Sequence, residues 1–220
     1  MIPFRDDSRR PVHVPLVTAG LIGLNAAVFV LEILSGEPFI HQWSLVPAAI
    51  VAGKGWITMV TAMFLHAGWA HILGNMVFLW TFGPQIEDVM GRGRYLVFYL
   101  LGGLAATVAQ IAASPVSTIP ILGASGAIAA VMGAFLITFP RDRIRTLLIF
   151  GWFITVRLIP AAALVGFWFV TQLFSELGAL ATVQTGGVAY VAHIGGFVMG
   201  MITARLFEDS ARLAYQRWRG

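Results

Sequence analysis

The chain has 220 residues, of which 58% are hydrophobic and only 11% are charged, and it contains no cysteine. Soluble domains usually carry roughly 25% charged residues, so the expected surroundings of this chain are a lipid bilayer. The lack of cysteine excludes disulfides, thiolate metal ligands and a cysteine nucleophile. The formal net charge of +4 would suit nucleic acid in a soluble protein. Here the basic residues cluster at the ends of apolar segments, so we expect no nucleic-acid partner.

Apolar segments along the chain predict six membrane-spanning helices, because about 20 helical residues cross the hydrocarbon core. The predicted spans are residues 14–34, 66–86, 95–113, 125–139, 158–174 and 188–206. The connecting segment 36–61 mixes polar and apolar residues, which is typical of a segment lying at the membrane interface. The chain is therefore predicted to consist of a cytoplasmic N-terminal segment (1–13), a six-span membrane domain (14–206) and a basic cytoplasmic tail (207–220).

The predicted fold class is therefore all-α, a polytopic membrane protein whose fourth helix is short and central. That helix has about 15 residues and a length of about 22 Å, less than the hydrocarbon thickness. Its first residue, Ser125, is therefore expected below the membrane surface, inside the bundle.

The distribution of basic residues predicts the orientation. Thirteen of the 14 lysines and arginines fall on one side of the six-span topology, and only Lys54 falls on the other. Cytoplasmic loops are enriched in such residues, so both termini are predicted to be cytoplasmic. The chain shows no Arg- and Ser-rich amphipathic leader, which favours a bacterial plasma membrane over a mitochondrial membrane.

Few polar side chains lie at membrane depth, and such residues mark functional sites by default. They are His66, His71, Asn75, Ser125 and His193, all near the outer ends of spans two, four and six. No Asp or Glu lies in the middle of a span, and no H-E-x-x-H motif occurs. These absences argue against an aspartyl or a zinc membrane protease, and we expect neither metal nor cofactor.

Ser125 and His193 form the candidate catalytic pair. Gly123 and Gly126 flank the serine and leave room for close approach of other chains. Small residues on spans four and six allow their backbones to pack closely enough for the imidazole to reach the hydroxyl. Two structural alternatives stay open: a serine that only caps its helix, and a serine–histidine hydrogen bond that only joins two helices.

His71 and Asn75 lie four residues apart and so share one helix face. Together with the N–H groups at the start of span four, both could stabilise the oxyanion of a tetrahedral intermediate. The alternative is that His71 and Asn75 only form hydrogen bonds that hold neighbouring helices together. His66 lies off that face and is expected to support the segment as a cap.

Four segments in this order resemble the rhomboid family of intramembrane serine proteases, in its six-span prokaryotic form. They are HAGWAHILGN (66–75), EDVMG (87–91), GASGA (123–127) and AHIGG (192–196). The resemblance implies that Ser125 is the nucleophile and His193 the general base, without a third acid. It also implies an oxyanion hole of His71, Asn75 and the Ser125 N–H. It further implies that span five and the connection after it, residues 178–187, move to admit a substrate helix. The implied substrates are single transmembrane segments of membrane proteins that contain small or helix-weakening residues.

Two departures from the family pattern stand out. Many relatives carry an aromatic residue four positions after the serine, where this chain has Ala129, and some carry arginine after the tryptophan of the first loop, where Trp43 precedes Ser44. The first is expected to loosen His193. The alternative functions are a non-catalytic rhomboid-like protein that binds membrane helices for quality control, and a small transporter. The sequence shows no internal repeat of the kind that transporters often have.

Overall fold

The computed structural model describes residues 1–181 and 190–219. The elements, in chain order, are β1 (Ile2–Asp6), α1 (Leu16–Ser35), α2 (Glu37–Trp43), α3 (Pro47–Val51), α4 (Thr58–Thr61), a 3₁₀ turn (Ala62–Phe64), α5 (Trp69–Met90), α6 (Arg92–Ala113), α7 (Ser125–Thr138), β2 (Arg143–Phe150), β3 (Phe153–Pro160), α8 (Ala161–Ala181), α9 (Tyr190–Phe207) and α10 (Ser210–Arg219). The protein is thus mostly helical.

Within the described residues, three helices are long and apolar enough to cross a membrane on their own: α1, α6 and α9. A fourth crossing is formed if α5 is taken with the short helical segment Thr58–Phe64, from which it is bent by 92°. The chain is therefore a multi-pass membrane protein. The helices α7 and α8 coincide with the predicted fourth and fifth spans, but their apolar parts are shorter, so a count of six crossings remains a prediction.

Helix α7 consists mainly of small and apolar residues and is buried along most of its length. Every residue from Gly126 to Phe135 is buried, and α7 packs against α5, α6, α8 and α9. Its approach to α9 is close because glycines stand at the crossing. A Cβ atom at Gly200 would overlap the carbonyl oxygen of Ala130, and one at Gly133 would overlap that of Phe197. Two membrane helices can approach this closely only where the facing residue is a glycine, which has no side chain.

A three-stranded antiparallel sheet, in the order β1-β2-β3, is present beside the helices. The all-α prediction did not include it. Strands β2 and β3 form a hairpin in which Arg143 pairs with Pro160 and Phe150 with Phe153. Gly151 stands in the tight turn with φ of 58°. A glycine at such a turn between β-branched and aromatic residues is a hairpin signal.

The sheet, the N-terminus and α10 gather at one end of the bundle. Thr81 on α5 donates a hydrogen bond to the carbonyl of Pro3 on β1 (3.2 Å), while Gln216 on α10 donates to the carboxylate of Asp88. The basic tail forms a helix, α10, that packs on α5. The starts of α5, α7 and α9 lie at the opposite end, because each of these helices ends beside the sheet or α10.

Candidate functional site

The side chains of Ser125 and His193 meet between α7 and α9. The Ser125 hydroxyl lies 2.7 Å from His193 Nε2. Ser125 is the first residue of α7 and is half-buried, while His193 is buried with 8% exposure. The residue before the helix is Ala124, and no side chain caps the helix start. The hydroxyl is therefore bonded to the imidazole instead of capping the helix, which removes one of the two structural alternatives.

Small residues make this contact geometrically accessible, as the sequence predicted. A Cβ atom at Gly196 would overlap the carbonyl oxygen of Gly126, one residue after the serine. A Cβ atom at Gly126 would lie 2.5 Å from the methyl group of Ala106 on α6. Near this point, Gln110 on α6 accepts a hydrogen bond from the backbone N–H of Ala192 (3.1 Å). This bond holds the first turn of α9 in place beside the site.

The other nitrogen of His193 has a partner that the sequence analysis missed. Nδ1 lies 2.8 Å from Oε1 of Gln172 on α8. A carbonyl oxygen only accepts hydrogen bonds, so Nδ1 carries the proton and donates it. The neutral imidazole then has a free lone pair on Nε2, which accepts the hydrogen bond of Ser125. The signal in the sequence was a glutamine within an otherwise apolar span, since buried polar groups in membrane helices find partners across the bundle.

Aromatic rings pack on His193 although Ala129 replaces the usual aromatic residue. The ring of Trp168 on α8 lies 5.8 Å from the imidazole, centroid to centroid. Tyr190, at the start of α9, approaches edge-on at 6.5 Å. Ala129 itself is fully buried, so its position offers no space for a ring. Rings from α8 and from α9 itself thus contact the imidazole, and the loosening of His193 remains a prediction.

His71 lies beside the nucleophile. A Cβ atom at Gly123 would lie 2.9 Å from both Cε1 and Nε2 of His71 and 3.6 Å from the Ser125 hydroxyl oxygen. The backbone N–H of Ala67 donates a hydrogen bond to His71 Nδ1 (3.3 Å). In a neutral imidazole this arrangement leaves the proton on Nε2. His71 thus presents an N–H donor on the side of its ring that faces Gly123 and Ser125.

Asn75 and His66 are buried polar residues with unused hydrogen-bonding groups. The amide nitrogen of Asn75, one turn after His71 on α5, makes no hydrogen bond. Both ring nitrogens of His66 are also unpaired, and its ring meets that of His71 edge-on at 5.1 Å. The backbone N–H of His66 donates to the carboxylate of Glu32 on α1 (3.0 Å). His66, which lies before α5, thus packs against the His71 ring. Asn75 has a side-chain N–H donor without an acceptor.

The described residues also bear on metal binding. Across residues 1–181 and 190–219, no three side chains of the His, Cys, Asp or Glu type are grouped closely enough to hold a metal ion. The connection between predicted spans five and six, residues 178–187, lies mostly outside the described residues. The connection between α6 and α7, residues 114–122, is joined to the segment after α2 by two backbone hydrogen bonds between Leu45 and Ile121 (3.0 and 2.7 Å).

Comparison with known proteins gives a consistent result. The chain is 27% identical over 210 residues to Rhomboid protein 1, mitochondrial, of Saccharomyces cerevisiae, covering 93% of this chain and 57% of that protein. It is 32% identical to Rhomboid protease GluP of Bacillus subtilis, covering 71% of this chain and 27% of that one. It is 29% identical to Rhomboid protease GlpG of Pectobacterium atrosepticum, covering 86% and 61%. The chain thus spans between about a quarter and three fifths of the length of these relatives.

The family model described as the Rhomboid domain matches residues 53–209. This range contains His66, the histidine and the asparagine of α5, the serine of α7 and the histidine of α9. It begins after the short helices α2 and α3 and ends just before α10. The match covers well over half of the chain, which therefore belongs to the rhomboid family, a family that includes intramembrane serine proteases.

Proposed function

We propose that this protein is an intramembrane serine endopeptidase that hydrolyses peptide bonds in or near transmembrane segments of other membrane proteins. One observation carries the proposal: the Ser125 hydroxyl lies 2.7 Å from an imidazole nitrogen of His193 that is free to accept its proton. A serine hydroxyl is a weak nucleophile without an adjacent base. This contact supplies the base within hydrogen-bonding distance, which is the first geometric requirement of general base catalysis.

The reaction follows from the positions of these two groups. As Ser125 Oγ attacks the substrate carbonyl carbon, its proton passes to His193 Nε2. The protonated imidazole then gives that proton to the leaving amine, the peptide C–N bond breaks, and an acyl-enzyme forms. A water molecule repeats the sequence: it loses a proton to Nε2, attacks the ester carbonyl, and the proton returns to Ser125 Oγ. The product is a free carboxylic acid.

The negative charge that develops on the substrate carbonyl oxygen during the attack must be stabilised by hydrogen-bond donors in fixed positions. His71 presents Nε2–H toward the nucleophile, and Asn75 has a buried amide nitrogen with no partner. An unpaired buried donor costs about 1–3 kcal/mol, so its retention supports a role in which a substrate oxygen supplies the missing acceptor. The Ser125 backbone N–H, at the start of α7, has no acceptor within its own helix. We assign these three groups to the oxyanion hole.

The electrostatics of this end of the bundle fit an anionic intermediate. Helices α5, α7 and α9 all begin here, and each contributes the positive end of its dipole. Their first N–H groups are the ones left without partners inside the helix. The half-buried state of Ser125 is consistent with the water that hydrolysis needs.

The proposal includes an orientation. The sheet and α10 carry half of the 14 lysines and arginines, and we assign that end to the cytoplasm, with six membrane crossings and both termini inside. The protein has mitochondrial and bacterial relatives; a bacterial plasma membrane is the location that the sequence predicts. Substrates are proposed to be single transmembrane segments.

Labelling with a fluorophosphonate probe tests the function directly. Purified wild-type protein should react with the probe and cleave a model transmembrane substrate, and Ser125→Ala should do neither. Ser114→Ala, a half-buried serine outside the site, is the matched control and should behave like the wild type. A wild-type protein that neither reacts nor cleaves while remaining folded would instead fit the non-catalytic membrane-helix binder. Solute flux in liposomes would test the transporter alternative.

A further inference from the structure

We propose that Gln172 on α8 is the positioning residue of the general base, holding His193 in the tautomer and orientation that accept the Ser125 proton. The inference rests on the proposed protease function. It adds a third side chain to a pair that the family resemblance treats as sufficient by itself. The juxtaposition that carries it is a chain of two hydrogen bonds, Ser125 to His193 (2.7 Å) and His193 to Gln172 (2.8 Å).

The orientation of the Gln172 amide is set by its own surroundings. Its nitrogen, Nε2, faces the backbone carbonyl of Trp168 at 3.5 Å and the hydroxyl of Thr171 at 3.4 Å. The Thr171 hydroxyl itself donates to the Trp168 carbonyl at 2.6 Å, so both oxygens act as acceptors toward the amide. The opposite amide orientation would place oxygen against these acceptors. Hence Oε1 is the atom that faces His193.

This orientation decides which imidazole nitrogen carries the proton. Since Oε1 only accepts, Nδ1 of His193 donates, and Nε2 is left as the acceptor toward the nucleophile. Without Gln172, either nitrogen could carry the proton, and the tautomer with Nε2–H cannot take the serine proton. In serine proteases with a triad, a buried carboxylate has this orienting role. An amide provides the orientation without placing a charge in the bilayer, where charges are costly.

The position of Gln172 also explains why the ring is held although Ala129 is small. Trp168, one turn before Gln172 on α8, packs against the same imidazole. Helix α8 thus supplies both the hydrogen bond and the aromatic contact. Helix α7 contacts the imidazole through the Ser125 hydroxyl.

Two substitutions of Gln172 separate positioning from packing. Gln172→Leu keeps the size of the side chain but removes the acceptor for His193. We expect kcat to fall by about 10- to 100-fold with little change in KM, because general base catalysis as a whole contributes about 10²- to 10⁴-fold. Gln172→Glu keeps the acceptor and adds a charge that favours the protonated imidazole. Gln172→Glu should retain much of the wild-type activity at high pH, and the acidic limb of its kcat/KM profile should move to higher pH. Gln42→Leu, an exposed glutamine on α2, is the control.

Nitrogen NMR of labelled histidine supplies a readout besides activity. In the wild type the His193 Nε2 signal should be that of an unprotonated nitrogen, and Gln172→Leu should show a mixture of tautomers. Wild-type kcat and an unshifted pH profile in both variants, with an unchanged tautomer, would overturn the inference. If the wild type proves inactive, the proposed protease function fails, while the tautomer measurement still decides whether Gln172 orients His193.

Discussion

Gly123 and His71 are in contact across the candidate oxyanion hole, and the glycine has no room for a side chain. A Cβ atom there would lie 2.9 Å from two atoms of the His71 ring. Gly123 also has φ of 128°, in the region that favours glycine, and its N–H donates to the carbonyl of Ala62 (2.8 Å). The backbone immediately before Ser125 therefore packs closely against the His71 imidazole.

Gly123→Ala should therefore displace the His71 ring and weaken the oxyanion hole. Loss of one such donor costs about 10²–10³ in kcat, and we expect a decrease approaching that range in cleavage of a model substrate. Gly53→Ala is the control, because Gly53 also has a positive φ (77°) but an added Cβ would meet nothing within 4 Å. Equal activity of the two variants would show that His71 does not act on the oxyanion.

Trp168→Leu tests whether the ring from α8 replaces the family's usual aromatic residue. Removing the ring frees His193 to rotate, so kcat should fall several-fold while Ser125 and His193 stay chemically intact. Phe167→Leu, an exposed aromatic on the same helix, should have little effect. Ala129→Tyr should not rescue Trp168→Leu and should lower the unfolding temperature, since overpacking a core usually costs about 1–3 kcal/mol. Rescue would contradict the packing described for Ala129.

The contact between α7 and α9 predicts a more global effect for Gly200→Ala. The new methyl group would overlap the Ala130 backbone, so the helices must separate, which would pull His193 from Ser125. We expect a lower unfolding temperature in detergent together with slower fluorophosphonate labelling. Gly166→Ala on α8 is the control, because a Cβ there would meet nothing within 4 Å. A wild-type labelling rate in Gly200→Ala would contradict close packing at this crossing.

The sheet carries a pH-dependent carboxyl group at the other end of the molecule. Burial, and next the nearby Asp142 carboxylate, raise the pKa of Asp6 from 3.8 to about 7, although hydrogen bonds from the backbone N–H groups of Ser8 and Arg9 oppose this. Asp6 Oδ2 has no partner among the hydrogen bonds of the structure. A proton held there would be shared with the neighbouring Asp142 carboxylate, to which Arg9 donates at 2.6 Å. The folded protein therefore keeps a proton that the unfolded chain releases.

It follows that Asp6 stabilises the fold at low pH and that this contribution is lost as the pH rises from about 4 through about 7. Asp6→Asn keeps the acceptor for the backbone and supplies an N–H in place of the proton. Its unfolding temperature should change less between pH 5 and pH 8 than that of the wild type. Asp7→Asn, which removes the ion pair with Arg145 (2.8 Å), is the control. Parallel curves for wild type and Asp6→Asn would contradict the shared proton.

Short-range patterns in the sequence were enough to find the main helices and the candidate residues. The predicted apolar segments coincide with α1, α5, α6, α7, α8 and α9, although six membrane crossings remain a prediction. Predicted span five, 158–174, begins three residues too early, because Leu158 belongs to β3, and ends seven residues before the end of α8 at Ala181. Glycines beside the serine and the histidine indicated close packing, since small residues have this effect wherever two membrane helices cross. The catalytic and oxyanion roles of these residues remain proposals.

Tertiary structure alone decided which distant groups meet. Ile2 pairs with Leu147 in the sheet, and no local pattern specifies a partner so far along the chain. Gln172 reaches His193 because α8 packs on α9 at one particular rotation, which depends on the side chains of both helices. Periodicity shows which face of a helix is apolar, but it does not define the neighbour or the depth at which a single polar group finds its hydrogen bond.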